Sequence, residues 1–142
     1  MAERDDLEQQ AFQHAQHGIK ADCDHDWPRS VEHWHAAAMI ADAGLRNEPF
    51  HHWVMAGYAQ ALCQMGEWQH AIGRALPAHA WHLEQQQPLT ALTLARAHLE
   101  LEGMEAALPY LRDAYRLGGE DILSRHWFAA NQLVRIRQVL AL

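Results

Sequence analysis

Histidine is the residue type in this chain most capable of chemistry: 12 of its 142 residues carry an imidazole. Imidazole binds metals in its neutral form and changes charge close to neutral pH. His14 with His17, and His79 with His82, are three residues apart and would share a helix face, whereas His33 with His35 and His51 with His52 would not. Two ligands leave a zinc shell open, since three or four must converge, and the His-Glu-x-x-His arrangement is absent. Histidine-rich metal binding is therefore a lesser alternative, and no metal ligand is assigned. The simpler use of these rings is as polar surface groups and half-buried aromatics that would make the surface charge pH-sensitive near pH 6.

The other chemical candidates point the same way. Asp22, Asp24 and Asp26 alternate as at the start of a calcium loop, but Trp27 stands where that loop needs glycine and His33 where it needs a bidentate glutamate. Cys23 and Cys63 are too few and too isolated for a disulfide framework or a zinc ribbon. No Gly-x-Ser-x-Gly elbow, phosphate-cradling loop, dinucleotide glycine fingerprint or Cys-x-x-Cys pair occurs. The expectation is a protein without catalytic residues or cofactor.

Composition narrows the partner. With a formal charge of −7 and Lys20 as the only lysine, the chain lacks the basic stripe that phosphate backbones require, so nucleic acid is not an expected partner. The longest uncharged stretch, 49–66, contains His51, His52, Gln60 and Gln64 and is too polar to span a membrane. The acidic start, Met1-Ala-Glu-Arg-Asp-Asp-Leu-Glu, is unlike a secretory leader, which predicts a cytoplasmic location. Ala and Leu dominate the apolar residues, while β-branched residues are scarce, as expected of helices. A chain of this length can bury about 70% of its unfolded surface as one domain.

The elements that would position any site are revealed by an internal repeat. Its clearest copy is Met65-Gly66-Glu67-Trp68-Gln69-His70-Ala71-Ile72, a helix-breaking glycine, a wedging aromatic and a small residue at a helix crossing. Asp26-Trp27-Pro28-Arg29-Ser30-Val31 repeats the step, with Asp26 as helix cap and Pro28 in the first turn. Glu102-Gly103-Met104-Glu105-Ala106-Ala107-Leu108 repeats it again. Small residues recur at Gly18, Ser30 and Ala37, at Ala59, Ala71 and Ala78, and at Ala95, Ala107 and Ala114, where they would let helices approach closely. Trp27, Trp34, Tyr58 and Trp68 are the expected fillers between them.

This spacing of small residues, about 12 and then seven apart in paired helices, resembles the tetratricopeptide repeat over residues 10–120, although no copy carries the full pattern. The resemblance implies an all-α, single-domain array of three antiparallel helical hairpins (10–43, 49–83 and 88–118) with a C-terminal capping helix at 121–141. Helices are expected at 3–22, 28–43, 49–65, 68–76, 88–102, 105–117 and 121–140. Pro77 and Pro109 fall inside expected second helices, where a proline kinks or ends a helix, and the fourth helix is expected to stop near Leu76. The final segment is amphipathic, with Ile122, Leu123, Trp127, Leu133, Val134, Ile136, Val139 and Leu140 interleaved with Arg125, Arg135 and Arg137.

In such an array the first helix of each hairpin lines a concave groove. The facing residues would be Phe12, Ala15, Ile19 and Asp22; Trp53, Ala56, Gln60 and Gln64; and Leu89, Leu92, Arg96, Leu99 and Glu100, with Trp53 and Arg96 as the expected hot spots. Tetratricopeptide domains that clamp the acidic tails of heat-shock chaperones use lysines and asparagines where this chain has Ala, Ile, Gln and Leu, so that ligand is not expected. Size and acidity are also similar to the class II chaperones of bacterial type III secretion translocators. The resemblance therefore implies a protein-binding secretion chaperone or adaptor. An immunity or antitoxin protein that blocks a basic toxin surface is the alternative. Self-assembly into a homo-oligomer through exposed Trp and Leu faces is a further possibility.

Overall fold

The computed structural model describes residues 2–142; Met1, the first residue of the acidic start, lies outside them. Among the described residues there are seven α-helices: α1 (Ala2–Cys23), α2 (Trp27–Gly44), α3 (Pro49–Gln64), α4 (Trp68–Glu84), α5 (Leu89–Leu101), α6 (Met104–Gly118) and α7 (Ala130–Val139). A 3-10 turn, Gly119–Ile122, follows α6. The first six helices pair as hairpins, α1 with α2, α3 with α4 and α5 with α6, and each hairpin packs on the next through α2 against α3 and α4 against α5. Helix α3 also touches both α1 and α5, so the first helices of the three hairpins form one wall. No helix is long and apolar enough to cross a membrane among the described residues.

The three turns share one hydrogen bond at repeat-equivalent positions. The amides of Asp26, Glu67 and Gly103 donate to the carbonyls of Ala21, Leu62 and His98 at 2.9, 2.9 and 3.1 Å. This bond closes a helix C-terminus through a residue in the left-handed region. Gly66 takes that conformation at φ 78°, whereas Gly103, itself the donor of the third bond, combines a positive φ of 103° with an extended ψ of −175°. In the first hairpin His25 adopts it at φ 53°. The Asp26 carboxylate accepts from the Arg29 amide at 3.3 Å, capping α2 as its place before the helix suggests.

All nine of the repeated small residues, from Gly18 to Ala114, are buried. Their smallness has a direct use at Trp34, whose indole is 3% exposed and lies between Gly18 of α1 and Gly57 of α3. A Cβ on Gly18 would fall 2.7 Å from the indole nitrogen, and one on Gly57 2.6 Å from two ring carbons. Tyr58 is likewise buried. Trp27 and Trp68 are only half-buried; Trp68 packs against the core, whereas Trp27 stands at the first hairpin turn beside His25 and His126.

The expected end of the fourth helix is corrected. Helix α4 does not stop near Leu76 but runs through Pro77 to Glu84, and α6, as its expected range implies, runs through Pro109. Each proline removes one intrahelical donor and displaces the carbonyl four residues earlier. Pro77 and Gly73, like Pro109 and Glu105, lie on the exposed side, where water can take up the released carbonyl. The opposite side of α4, with Ala71, Ala75, Ala78 and His82 buried, holds the helix together across the break.

The expected helix 121–140 is also replaced, by the 3-10 turn, an irregular stretch over residues 123–129 and the shorter α7. Ile122, Trp127 and Phe128 are all buried, and on α7 only Ile136 is buried. The irregular backbone allows the Trp127 and Phe128 pair to turn inward before α7 begins. The Gln132 side chain then accepts from the Ala129 amide at 2.9 Å, capping the helix start.

Candidate groove

Helices α1, α3 and α5 form a concave wall with an open end and a closed end. At the open end Asp5, Glu8, Gln9 and Phe12 of α1 face Phe50 and Trp53 of α3 around a cleft of about 440 Å³. Trp53 is the hub: its ring centroid lies 6.0 Å from Phe12, 5.6 Å from Phe50 and 5.4 Å from Trp34. Trp53 also walls the next pocket along, about 310 Å³, with Ile19, Asp22, Trp34, Ala56, Gly57, Gln60, His82 and Leu89. The two cavities thus form one groove with apolar walls and few polar groups, the composition of a ligand-binding cleft.

Three of those polar groups are distinctive. Asp22 is half-buried and accepts from the Ser30 hydroxyl and, at 3.3 Å, from the Trp34 indole nitrogen. Burial pushes its carboxyl above the ordinary value, with the two hydrogen bonds opposing. His82 is 4% exposed, and its Nε2 lies 3.2 Å from the His52 carbonyl, which only a protonated nitrogen can satisfy. Burial lowers its pKa and favours the neutral ring, so Nδ1 carries a lone pair, and that atom has no hydrogen-bond partner. Gln60, half-buried on α3, completes the polar set.

The closed end is occupied by the chain itself. The Trp127 carbonyl accepts from the Arg96 guanidinium, and the His126 carbonyl from Gln64 Nε2 at 3.4 Å. Glu100 pairs with Arg96 at 3.0 Å and accepts from Gln132 at 2.7 Å, which ties the wall to α7. Arg96 also lies over the Trp68 ring, 5.2 Å from its centroid. The His126 ring reaches back to the first hairpin turn, 5.7 Å from His25 and 5.9 Å from Trp27. Between Cys63, Gln64, Trp68, Arg96 and Trp127 only about 50 Å³ is left.

The residues expected to face the groove therefore divide into three groups. Phe12, Ile19, Asp22, Trp53, Ala56, Gln60 and Leu89 line the open part. Gln64, Arg96 and Glu100 face the concave side but are engaged by residues 126–132, so Arg96 is not a free hot spot. Ala15 and Leu92 are buried, and Leu99 is half-buried against the core, so these positions are not open to the groove.

Sequence reasoning missed Asp5, Glu8, Gln9, Phe50, Gly57, Trp34 and His82 as lining residues. Phe50 is one turn before Trp53 and shares its face, a usable signal. His82 was not among the expected lining residues because only the first helix of each hairpin was expected to face the groove, and it lies on α4.

Most of the remaining histidines lie along contacts between helices. His35 Nδ1 meets the Tyr58 hydroxyl at 2.9 Å, His51 Nε2 meets Asp42 at 2.8 Å, and His98 stacks on Tyr110 with ring centroids 5.2 Å apart. His79 and His82, which share a helix face, point to different partners: Thr90 Oγ1 at 2.9 Å and the His52 carbonyl. Among the described residues no three His, Cys, Asp or Glu side chains gather in a metal-sized cluster. Asp22 and Asp26 likewise serve separate hydrogen bonds.

Charge is unevenly spread along the array. Residues 1–48 hold ten of the 18 carboxylates and four of the 11 cations, whereas residues 104–142 hold four carboxylates and five arginines. The open end of the groove belongs to the acidic part. Comparison with protein-family models, with curated proteins and with solved structures gives no match to this chain.

Proposed function

We propose that this chain is a non-enzymatic adaptor that receives an extended segment of another polypeptide in its concave groove, in the manner of a bacterial secretion chaperone. One observation carries the reading. The closed end already takes a polypeptide in this way, with Gln64 and Arg96 on the carbonyls of His126 and Trp127 and the aromatic pair Trp127 and Phe128 buried beside them. The open end continues the same wall with Trp53, Ile19 and Leu89 and has no internal occupant among the described residues. Backbone hydrogen bonds with apolar side-chain pockets are a recurring mode of peptide capture.

The test is selection of random peptides on the protein, followed by calorimetry on the enriched sequences. The expected result is a peptide whose affinity falls at least tenfold with Trp53→Ala at unchanged helicity. Failure to enrich any peptide, or full affinity in the variant, would place the partner surface elsewhere.

A second reading draws support from the acidic residues 1–48: an immunity protein that covers a basic toxin surface. Its association rate should fall steeply with salt, whereas groove binding dominated by apolar contacts should not. A toxin gene or secretion genes beside the coding sequence would separate the two readings further.

A further inference from the structure

We propose that the pocket walled by Trp53, Trp34, Ile19 and Leu89 is a socket for an arginine side chain of the bound polypeptide; this rests on the groove reading and names what the groove selects. The polar atoms of the pocket are acceptors in search of donors. Asp22 keeps a second lone pair on each oxygen after serving Ser30 and Trp34, and among the described residues no Lys or Arg pairs with it. His82 Nδ1 is a buried acceptor with no donor, in a side chain 4% exposed. Gln60 adds an amide that can turn either its oxygen or its nitrogen inward.

Several donors are needed on one compact group, and the walls call for a flat, weakly hydrated one. Guanidinium has five N–H donors in a plane, stacks on indole faces and sheds water more readily than an ammonium. A lysine would satisfy Asp22 as a point charge but lacks the planar fork that can serve both carboxylate oxygens and lie against an indole face. The cavity, about 310 Å³, also accommodates the aliphatic stem beside Ile19 and Leu89. The excess of carboxylates in residues 1–48 attracts a cationic segment toward this end.

The experiment uses the intact chain and three peptides: acetyl-Leu-Arg-Phe-amide, the same peptide with lysine, and the same peptide with citrulline, which keeps the shape and loses the charge. Binding is followed by calorimetry and by the Trp34 indole N–H resonance in NMR spectra. The arginine peptide should bind at least tenfold tighter than the citrulline one, with lysine between, and shift the Trp34 signal.

Asp22→Asn, which keeps an oxygen for the Ser30 hydroxyl, should abolish the preference. Gln60→Glu, on the open face of α3, should enhance it and does not depend on tolerance at Asp22. Equal affinity for arginine and citrulline would overturn the socket and leave the groove standing. No binding of any of the three would overturn both. Self-association that Asp22→Asn abolishes would identify the occupant as an arginine of a second copy, and the partner assignment would fall.

Discussion

Substituting alanine at two helical glycines should change stability in opposite directions, because Gly57 faces the Trp34 ring and Gly73 faces solvent. At Gly73 an added Cβ meets nothing within 4 Å, so the substitution adds only helix propensity and reduces the freedom of the unfolded chain. That contributes about 0.4–1 kcal/mol of stability. At Gly57 the same gain is opposed by a Cβ placed 2.6 Å from two carbons of Trp34. The ring cannot retreat, since Gly18 lies against its other edge with a Cβ distance of 2.7 Å. Overpacking of this kind costs about 1–3 kcal/mol, and the absence of an escape route puts Gly57→Ala at the upper end.

With roughly 2–4 °C per kcal/mol for a domain near this size, Gly73→Ala should raise Tm by about 1–4 °C and Gly57→Ala should lower it by about 3–8 °C. Urea titrations should show the same order with unchanged m values. Adding Trp34→Phe to Gly57→Ala should cost at least about 0.5 kcal/mol less than the two changes summed, because the smaller ring relieves the clash. Gly57→Ala as stable as Gly73→Ala, or strict additivity with Trp34→Phe, would refute the account of how α1, α2 and α3 meet.

Three further outcomes are expected. Replacing Arg96 with Met removes a charged hydrogen bond to the Trp127 carbonyl, worth about 1.5–3 kcal/mol, so amides of residues 124–139 should exchange about ten- to a hundredfold faster while α1 to α4 are unchanged; equal acceleration everywhere would mean that the segment is not a separate docked element. In native protein at pH 8, a thiol reagent should modify Cys23, which is exposed, and spare Cys63, whose thiol burial pushes up to about 12; rapid loss of both thiols would contradict its buried position. Burial lowers the pKa values of His52, His79 and His82, so the unfolded chain takes up protons first as pH falls below about 6.5, and melting temperature should decline from there toward the lower folded-state values. Asp22, raised by burial, acts in the opposite sense only nearer the carboxylate range; a Tm that is level or rising between pH 6.5 and 5.5 would count against buried neutral histidines.

How far the candidate site was legible depends on which interactions define each residue's position. Phe12, Ile19, Trp53, Gln60 and Leu89 were readable because a helix face follows from spacing alone once the hairpin register is known. His82 was not, since it lies on the second helix of its hairpin while only first helices were expected to face the groove; its position depends on α4 continuing through Pro77, with Ala75 and Ala78 buried on its packed side. Arg96 was placed on the correct wall but its partner was not foreseeable: the Trp127 carbonyl is 31 residues away in the chain.

What the chain determines locally is the helical class, the three turn positions and the small residues at the crossings, because propensity, left-handed turn residues and close approach act over a few neighbours. Twelve histidines and scattered aspartates announced chemistry, yet their separations in sequence carry no information about convergence in space. Only the tertiary structure decided that most of these rings bridge helices, that His82 alone among them leaves a buried ring nitrogen without a partner, and that residues 123–129 leave helical form. The physical reason in each case is burial between segments distant in sequence. The free energy of seating Trp127 and Phe128 against the concave wall outweighs continuing one amphipathic helix, and the packed face of α4 outweighs the hydrogen bond lost at Pro77.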